Sequence, residues 1–208
     1  MTSHRSREER INEILTAAVD EIDENGLHGL TMDALARRTT ISKAAIYRFF
    51  RNKRDVTLAL FDFIHDSYMA IDVETVISWN LPFMETLMRC IYERHTAEDR
   101  RRFERAWIQL LPATLHDPEL ASRRRSWLQA VQEMYVELSR GLVARDKVVP
   151  REGFEDRLRM GVLLGTCFIE GLEIEALTID FENQHEEYIR RFLATLIAEV
   201  LGSPEHKS

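Results

Sequence analysis

Between Ala34 and Arg54 the chain places seven cations (Arg37, Arg38, Lys43, Arg48, Arg51, Lys53 and Arg54) and no acid. The first six fall inside a run, Thr31 to Lys53 (TMDALARRTTISKAAIYRFFRNK), and Arg54 follows it directly; the run has two residues suited to capping helices, Thr31 and Ser42. Ala36 is small where a first short helix must meet a second, Ile41 can anchor the turn, and Ile46 faces inward. These features in this register define a helix-turn-helix. The formal net charge is −7, so the rest of the chain, without the +7 of this window, carries −14. One compact basic element on an acidic protein has a local electrostatic footprint, and its natural counterpart is DNA phosphate.

Helical spacing governs the rest. Ile11, Ile14, Leu15, Ala18 and Ile22 form one apolar stripe that Asn25-Gly26 can end. Asp55 opens a fourth helix with Val56, Leu60, Phe63, Ile64 and Tyr68 on its buried side. Asn80-Leu81-Pro82 reads as a cap with proline in the first turn, ahead of Met84, Leu87, Met88 and Ile91. Thr96 with Asp99 resembles a capping box, and Pro112 should kink or end the helix that follows. Asp117-Pro118 starts another, a loop spans Val148 to Gly153, and two long helices are expected at roughly 153–178 and 182–201. Only eight glycines and five prolines occur in 208 residues, which favours long helices over a turn-rich β fold. The expectation is an all-α protein of about nine helices. Residues 1–53 form a three-helix DNA-binding domain, and 54–208 a helical ligand-binding and dimerisation domain.

Catalytic chemistry finds little support. The seven histidines (His4, His28, His65, His95, His116, His185 and His206) are scattered, and no HExxH motif, nucleophile elbow or phosphate loop occurs. Glu182 and His185 make one isolated i, i+3 pair. Cys90 and Cys167 match no metal spacing and read as buried reduced thiols. No catalytic residue, metal or cofactor is expected, and an enzyme on a helical bundle is only an alternative. The start, MTSHRSREER, has no apolar signal core, and no uncharged stretch approaches the ~20 residues of a membrane span. A cytoplasmic protein without membrane partners is expected.

In the helix-turn-helix, Ser42, Lys43, Ala44, Ala45, Tyr47 and Arg48 take outward or N-terminal positions. Small residues at 44 and 45 would let the backbone approach a groove floor, and Lys43 could reach a guanine edge or a phosphate. Gly29-Leu30-Thr31-Met32 through Ala36, Ile41 to Tyr47 and Phe50-Arg51-Asn52-Lys53 closely resemble the tetracycline-repressor (TetR/AcrR) family. The resemblance implies an all-helical homodimer that binds a palindromic operator and is released by a small ligand. It implies phosphate contacts at Thr31, Tyr47 and Lys53, and a base-reading front at Lys43, Ala44 and Ala45. Two positions depart from the pattern. Thr40 stands where the family usually has a turn glycine, so the turn must avoid a left-handed backbone or carry strain. Phe49 replaces a frequent phosphate-touching histidine, so one contact is missing or Phe49 turns into the core.

Further on, Trp107, His116 to Leu120 and Ile169 to Leu172 resemble the branch that includes the betaine-pathway regulators. Gly161 and Gly165, with Ile169 and Leu172, give a flat surface for close helix approach. Ile189, Phe192, Leu193 and Leu196 belong to a wide apolar stripe on the last helix. Two such helices from each chain would make an isologous four-helix interface. Candidates for a small-molecule pocket are Met84, Met88, Phe103, Trp107, Trp127, Val131, Tyr135 and Phe168. Glu104, Glu133 and Glu170 could favour a cationic ligand. The function expected is a ligand-responsive, sequence-specific regulator, a repressor whose effector is unknown. The alternatives are an activator or a ligand-independent DNA binder.

Overall fold

The computed structural model describes residues 6–69, 72–92, 97–147, 152–176 and 184–201. Among them all regular structure is helical: α1 (Arg7–Gly29), α2 (Met32–Arg38), α3 (Lys43–Ile46), α4 (Lys53–Met69), α5 (Val73–Ser78), α6 (Phe83–Tyr92), α7 (Ala97–Thr114), α8 (Pro118–Arg145), α9 (Phe154–Ala176) and α10 (His185–Leu201). That is one helix more than the count expected. The addition is α5, whose six residues are too few to register as a periodic pattern.

The helix boundaries follow local chemistry. Ser6 and Glu9 close a reciprocal capping box ahead of α1, with Ser6 N donating to Glu9 Oε2 at 2.6 Å and Glu9 N to Ser6 Oγ at 3.0 Å. Gly26 breaks α1 with φ 74° and ψ 169°, as Asn25-Gly26 led one to expect. The break strands backbone groups on either side, and Gln109 of α7 meets two of them. Its Oε1 accepts the Leu27 N–H at 3.1 Å, and its Nε2 donates to the Ile22 carbonyl at 2.9 Å. Asn80 adopts φ 54° between α5 and α6 and so turns the chain; α6 starts after Pro82, whose carbonyl accepts the Thr86 N–H at 2.9 Å. Pro112 lies inside α7, which runs on only to Thr114. The expected capping residue Thr96 and the loop residues 148–151 lie outside the described residues.

Two compact units result. The first comprises residues 1–70 and 97–125, the second 71–96 and 126–208. The first has one core in which Ile14, Ala18, Ile22, Leu35, Ile46, Leu60, Phe61, Ile64 and Leu110 are almost wholly buried. Arg102 reaches Asp20 at 2.8 Å and Arg105 pairs with Asp23, so charge as well as apolar packing fastens α7 along α1. The second unit has three smaller clusters, around Leu138 and Leu142, around Met88, Ile189 and Leu193, and around Val136, Leu158 and Val200.

Candidate functional site

The helix-turn-helix is assembled by its caps. Thr31 Oγ1 accepts the Ala34 N–H at 3.0 Å, and Ser42 Oγ accepts that of Ala45 at 3.3 Å. Each satisfies a backbone donor the first helical turn leaves open. Ile41 is buried between the two helices as the turn anchor. The turn also solves the problem posed by Thr40. The residue has no left-handed φ, and both its N–H and its hydroxyl donate to Glu13 Oε1 at 2.8 Å. A glycine would offer only the backbone half of this clasp.

The second helix of the motif is short. α3 proper is four residues, after which the backbone tightens to i→i+3 bonds, Arg48 N to Ala45 O at 3.2 Å and Phe49 N to Ile46 O at 2.9 Å. Ser42, Lys43, Ala44, Tyr47 and Arg48 are exposed, Tyr47 at 45 %. Thr31 is exposed at the head of α2. Ala45 is not on this surface. It is 8 % exposed and belongs to the core with Ile46. The expectation of an outward Ala45 is therefore corrected: residues 45 and 46 share the inward side of a one-turn helix, and a small side chain at 45 lets α3 lie close to α2. Phe49 is half-buried against the same core, so it has turned inward in place of a polar contact.

The basic residues are mostly engaged within the protein. Lys43 Nζ lies 2.8 Å from Asp33 Oδ2, which pushes the Lys43 pKa above its ordinary value. Arg51 Nε is 2.9 Å from Asp55 Oδ2, and that contact lowers the Asp55 carboxyl. Arg38 is held by Glu21 and Glu24 of α1. Arg54 meets Asp117 at 2.7 Å and Glu119 at 2.9 Å, at the start of α8. Lys53 is half-buried, and its Nζ donates to the Leu27 carbonyl at 2.6 Å, binding the start of α4 to the end of α1. Among the described residues Arg37 and Arg48 are the members of the seven without such a partner. Sequence reasoning found the cations but missed these partners, because Asp33 and Asp55 lie just outside the acid-free window.

In the second unit a largely apolar cavity of about 80 Å³, partly open to solvent, lies among α6, α8, α9 and α10. Of the residues expected at a pocket, Tyr135 lines it. Met84 and Met88 pack with Ile189 and Leu193; Phe168 stacks on Phe192 at 3.8 Å; Trp107 sits edge-on to Phe61 at 5.3 Å; Phe103 faces Phe63 at 6.1 Å. Val131 is buried and Trp127 half-buried, and neither borders the cavity. The physical reason is that large side chains at helical spacing fill the interior they share. The opening lies where bulk is missing, beside Ser139, Gly161, Gly165 and Thr166.

The residues expected at a dimer surface are also used within the chain. A Cβ on Gly161 would come within 2.8 Å of Val200 Cγ2, and one on Gly165 within 3.4 Å of Leu196 Cδ2. Gly161, Gly165, Ile169, Leu193 and Leu196 border the cavity, while Leu172, Ile189 and Phe192 join the cluster around Met88. The face left open on α9 is another one, Met160, Leu163 and Leu164, exposed at 55, 41 and 49 %. Cys167 extends this stripe and is exposed, against the expectation of a buried thiol, whereas Cys90 is buried. Among the described residues no group of His, Cys, Asp and Glu is placed to hold a metal ion, and no helix is long and apolar enough to cross a membrane.

An all-helical chain with an exposed, capped helix-turn-helix has the architecture of DNA-binding transcriptional regulators. Residues 14–60 match the family described as bacterial regulatory proteins, tetR family. Over 192 residues, 88 % of this chain and 90 % of the relative, it is 25 % identical to an uncharacterised HTH-type transcriptional regulator, YhgD, of Bacillus subtilis. A putative TetR-family regulator from Rhodococcus sp. shares the fold at a TM-score of 0.73, with 18 % identity, 91 % of this chain and 98 % of that one covered. SmeT, repressor of the Stenotrophomonas maltophilia multidrug efflux pump SmeDEF, aligns at a TM-score of 0.63 and 18 % identity over 90 % of this chain and 88 % of its own.

Proposed function

We propose that this regulator is a homodimeric repressor that holds a palindromic operator and is released from it by a small molecule. The observation that carries the reading is the exposed front of α3, where Ser42, Lys43, Ala44, Tyr47 and Arg48 stand clear of the core beside the exposed Thr31. Lys43 and Ala44 read base edges, while Thr31, Ser42, Tyr47, Arg48 and Lys53 hold phosphates. Residues 1–53 act as the DNA-reading domain, and 54–208 bind the effector and join the subunits in the cytoplasm. One recognition helix spans few base pairs, so a two-fold dimer is needed for useful selectivity. The open apolar stripe Met160, Leu163 and Leu164 suits that interface.

Release is a shift between conformers: effector binding favours a dimer whose recognition helices no longer match successive major grooves. A fluorescence titration of the purified protein against the palindrome upstream of its own gene tests the reading. Salt-dependent, sequence-selective binding is expected. Equal affinity for scrambled DNA would overturn it. A reporter driven by that promoter, with and without the gene, separates repression from activation.

A further inference from the structure

We infer that the cavity among α6, α8, α9 and α10 takes an uncharged, predominantly apolar small molecule carrying one hydrogen-bonding group, with Ser139 as the polar anchor. This rests on the effector-responsive reading above and names the chemistry of its ligand.

Among the described residues no charged side chain lines the cavity, which measures about 80 Å³ and is partly open to solvent. An ionised ligand would lose its hydration there without gaining a counter-charge. None of the acids expected to favour a cation, Glu104, Glu133 and Glu170, lines the cavity: Glu133 pairs with Arg159 at 2.6 Å on the surface, and Glu104 is buried in the other unit. Among the hydroxyls, Thr166 Oγ1 donates its proton to the Val162 carbonyl at 2.8 Å, so it is left only as an acceptor. Ser139 differs. The residue is 5 % exposed, borders the cavity, and makes no hydrogen bond with any described residue. A hydroxyl on an otherwise apolar wall is a group to which a ligand can donate or from which it can accept.

The walls are suited to keeping the space open. The close approach at Gly161 holds α9 against Val200, and the missing side chain at Gly165 leaves room beside Leu196. The cavity therefore discriminates by desolvation first and by one hydrogen bond second.

Calorimetric titration of the full chain with 1-octanol, 1-chlorooctane, octanoate and octyltrimethylammonium tests this. Octanol should bind once per chain, with both ions at least about tenfold weaker. Ser139→Ala should weaken octanol about fivefold and leave chlorooctane unchanged. Thr166→Leu, which adds bulk to the wall, should weaken both, with circular dichroism checking that each variant is folded. Tighter binding of either ion, equal effects of Ser139→Ala on octanol and chlorooctane, or no octanol binding up to its solubility limit would overturn the assignment. Operator affinity measured in parallel separates the two claims. Octanol bound through Ser139 with no change in DNA affinity upholds the ligand class and removes the effector reading.

Discussion

Gln109 Oε1 lies 3.0 Å from the point that a Cβ on Gly26 would occupy, and the same oxygen accepts the N–H of the next residue, Leu27. The two residues are fitted to each other although they lie far apart in sequence, Leu27 and Gln109 being 82 positions apart. Gly26 supplies the backbone break and the space; Gln109 supplies the donor and acceptor that the break requires. Gln109→Ala should cost about 2 kcal/mol, because it leaves an N–H and a carbonyl without protein partners in a partly buried place. Gly26→Ala should also destabilise, since it meets both the positive φ and the Gln109 oxygen. Urea unfolding of the two variants checks this, and a Gln109→Ala protein as stable as the parent would mean that water replaces the amide without loss.

If Lys43 contacts DNA as proposed, Asp33 competes with DNA for it. Asp33→Asn should leave Lys43 free and tighten binding to operator and to unrelated DNA by about two- to fivefold at low salt, an effect that fades as salt rises. Lys43→Ala should instead alter operator preference. A set of operators with single base changes, titrated against both variants, distinguishes the two. Uniform loss across all sequences for Lys43→Ala would assign this side chain to phosphate.

His65 gives the fold a pH dependence. It is packed between Phe61, at 3.9 Å between ring centres, and Trp107, at 4.5 Å. Burial, reinforced by the charge of Arg124, lowers its pKa from 6.5 to about 3. The unfolded chain therefore binds a proton that the folded chain refuses in the window between those values. Stability is intact above about pH 6.5 and falls as pH drops toward 3, by up to about 1.4 kcal/mol per pH unit. Denaturant unfolding between pH 7 and 5 should show this slope, and His65→Phe should remove that part of it.

The open stripe on α9 makes a prediction about assembly. Leu164→Glu places a charge in the proposed subunit interface and should convert the dimer to folded monomers in sedimentation. Operator affinity should drop about 100-fold or more once the two half-sites are no longer bound together. Dimers persisting at micromolar concentration would move the interface to another face.

The helix-turn-helix was legible because its signals are local. Thr31 and Ser42 cap the helices they immediately precede, and Ile41 and Ile46 mark the buried side without reference to the rest of the chain. Ala45 was misread for a reason of phase: on a one-turn helix, small residues at 44 and 45 look alike, and only packing against α2 tells them apart. The cavity was illegible for a different reason. Apolar periodicity finds Phe103, Trp107 and Phe168, which are the side chains that fill space, whereas a void is made by atoms that are absent at Gly165 and Ser139. The glycine pair is visible in the sequence, but spacing alone does not show that its neighbours within the chain are Leu196 and Val200.

On the proposed DNA-binding reading, the carboxylates around the basic element make the protein its own rival for the operator. Asp33 on Lys43, Asp55 on Arg51, and Asp117 with Glu119 on Arg54 occupy places that phosphate oxygens would take. Association is then an exchange of one anion for another, so each contact yields less than the bare charge of the cations suggests. Random DNA, which offers a poorly placed phosphate, has to displace a well-placed carboxylate. On that reading only a sequence that adds base contacts at Lys43 and Ala44 would gain enough beyond the exchange, and the acids beside the recognition helix would act as a threshold that sets how long the protein lingers on the wrong DNA.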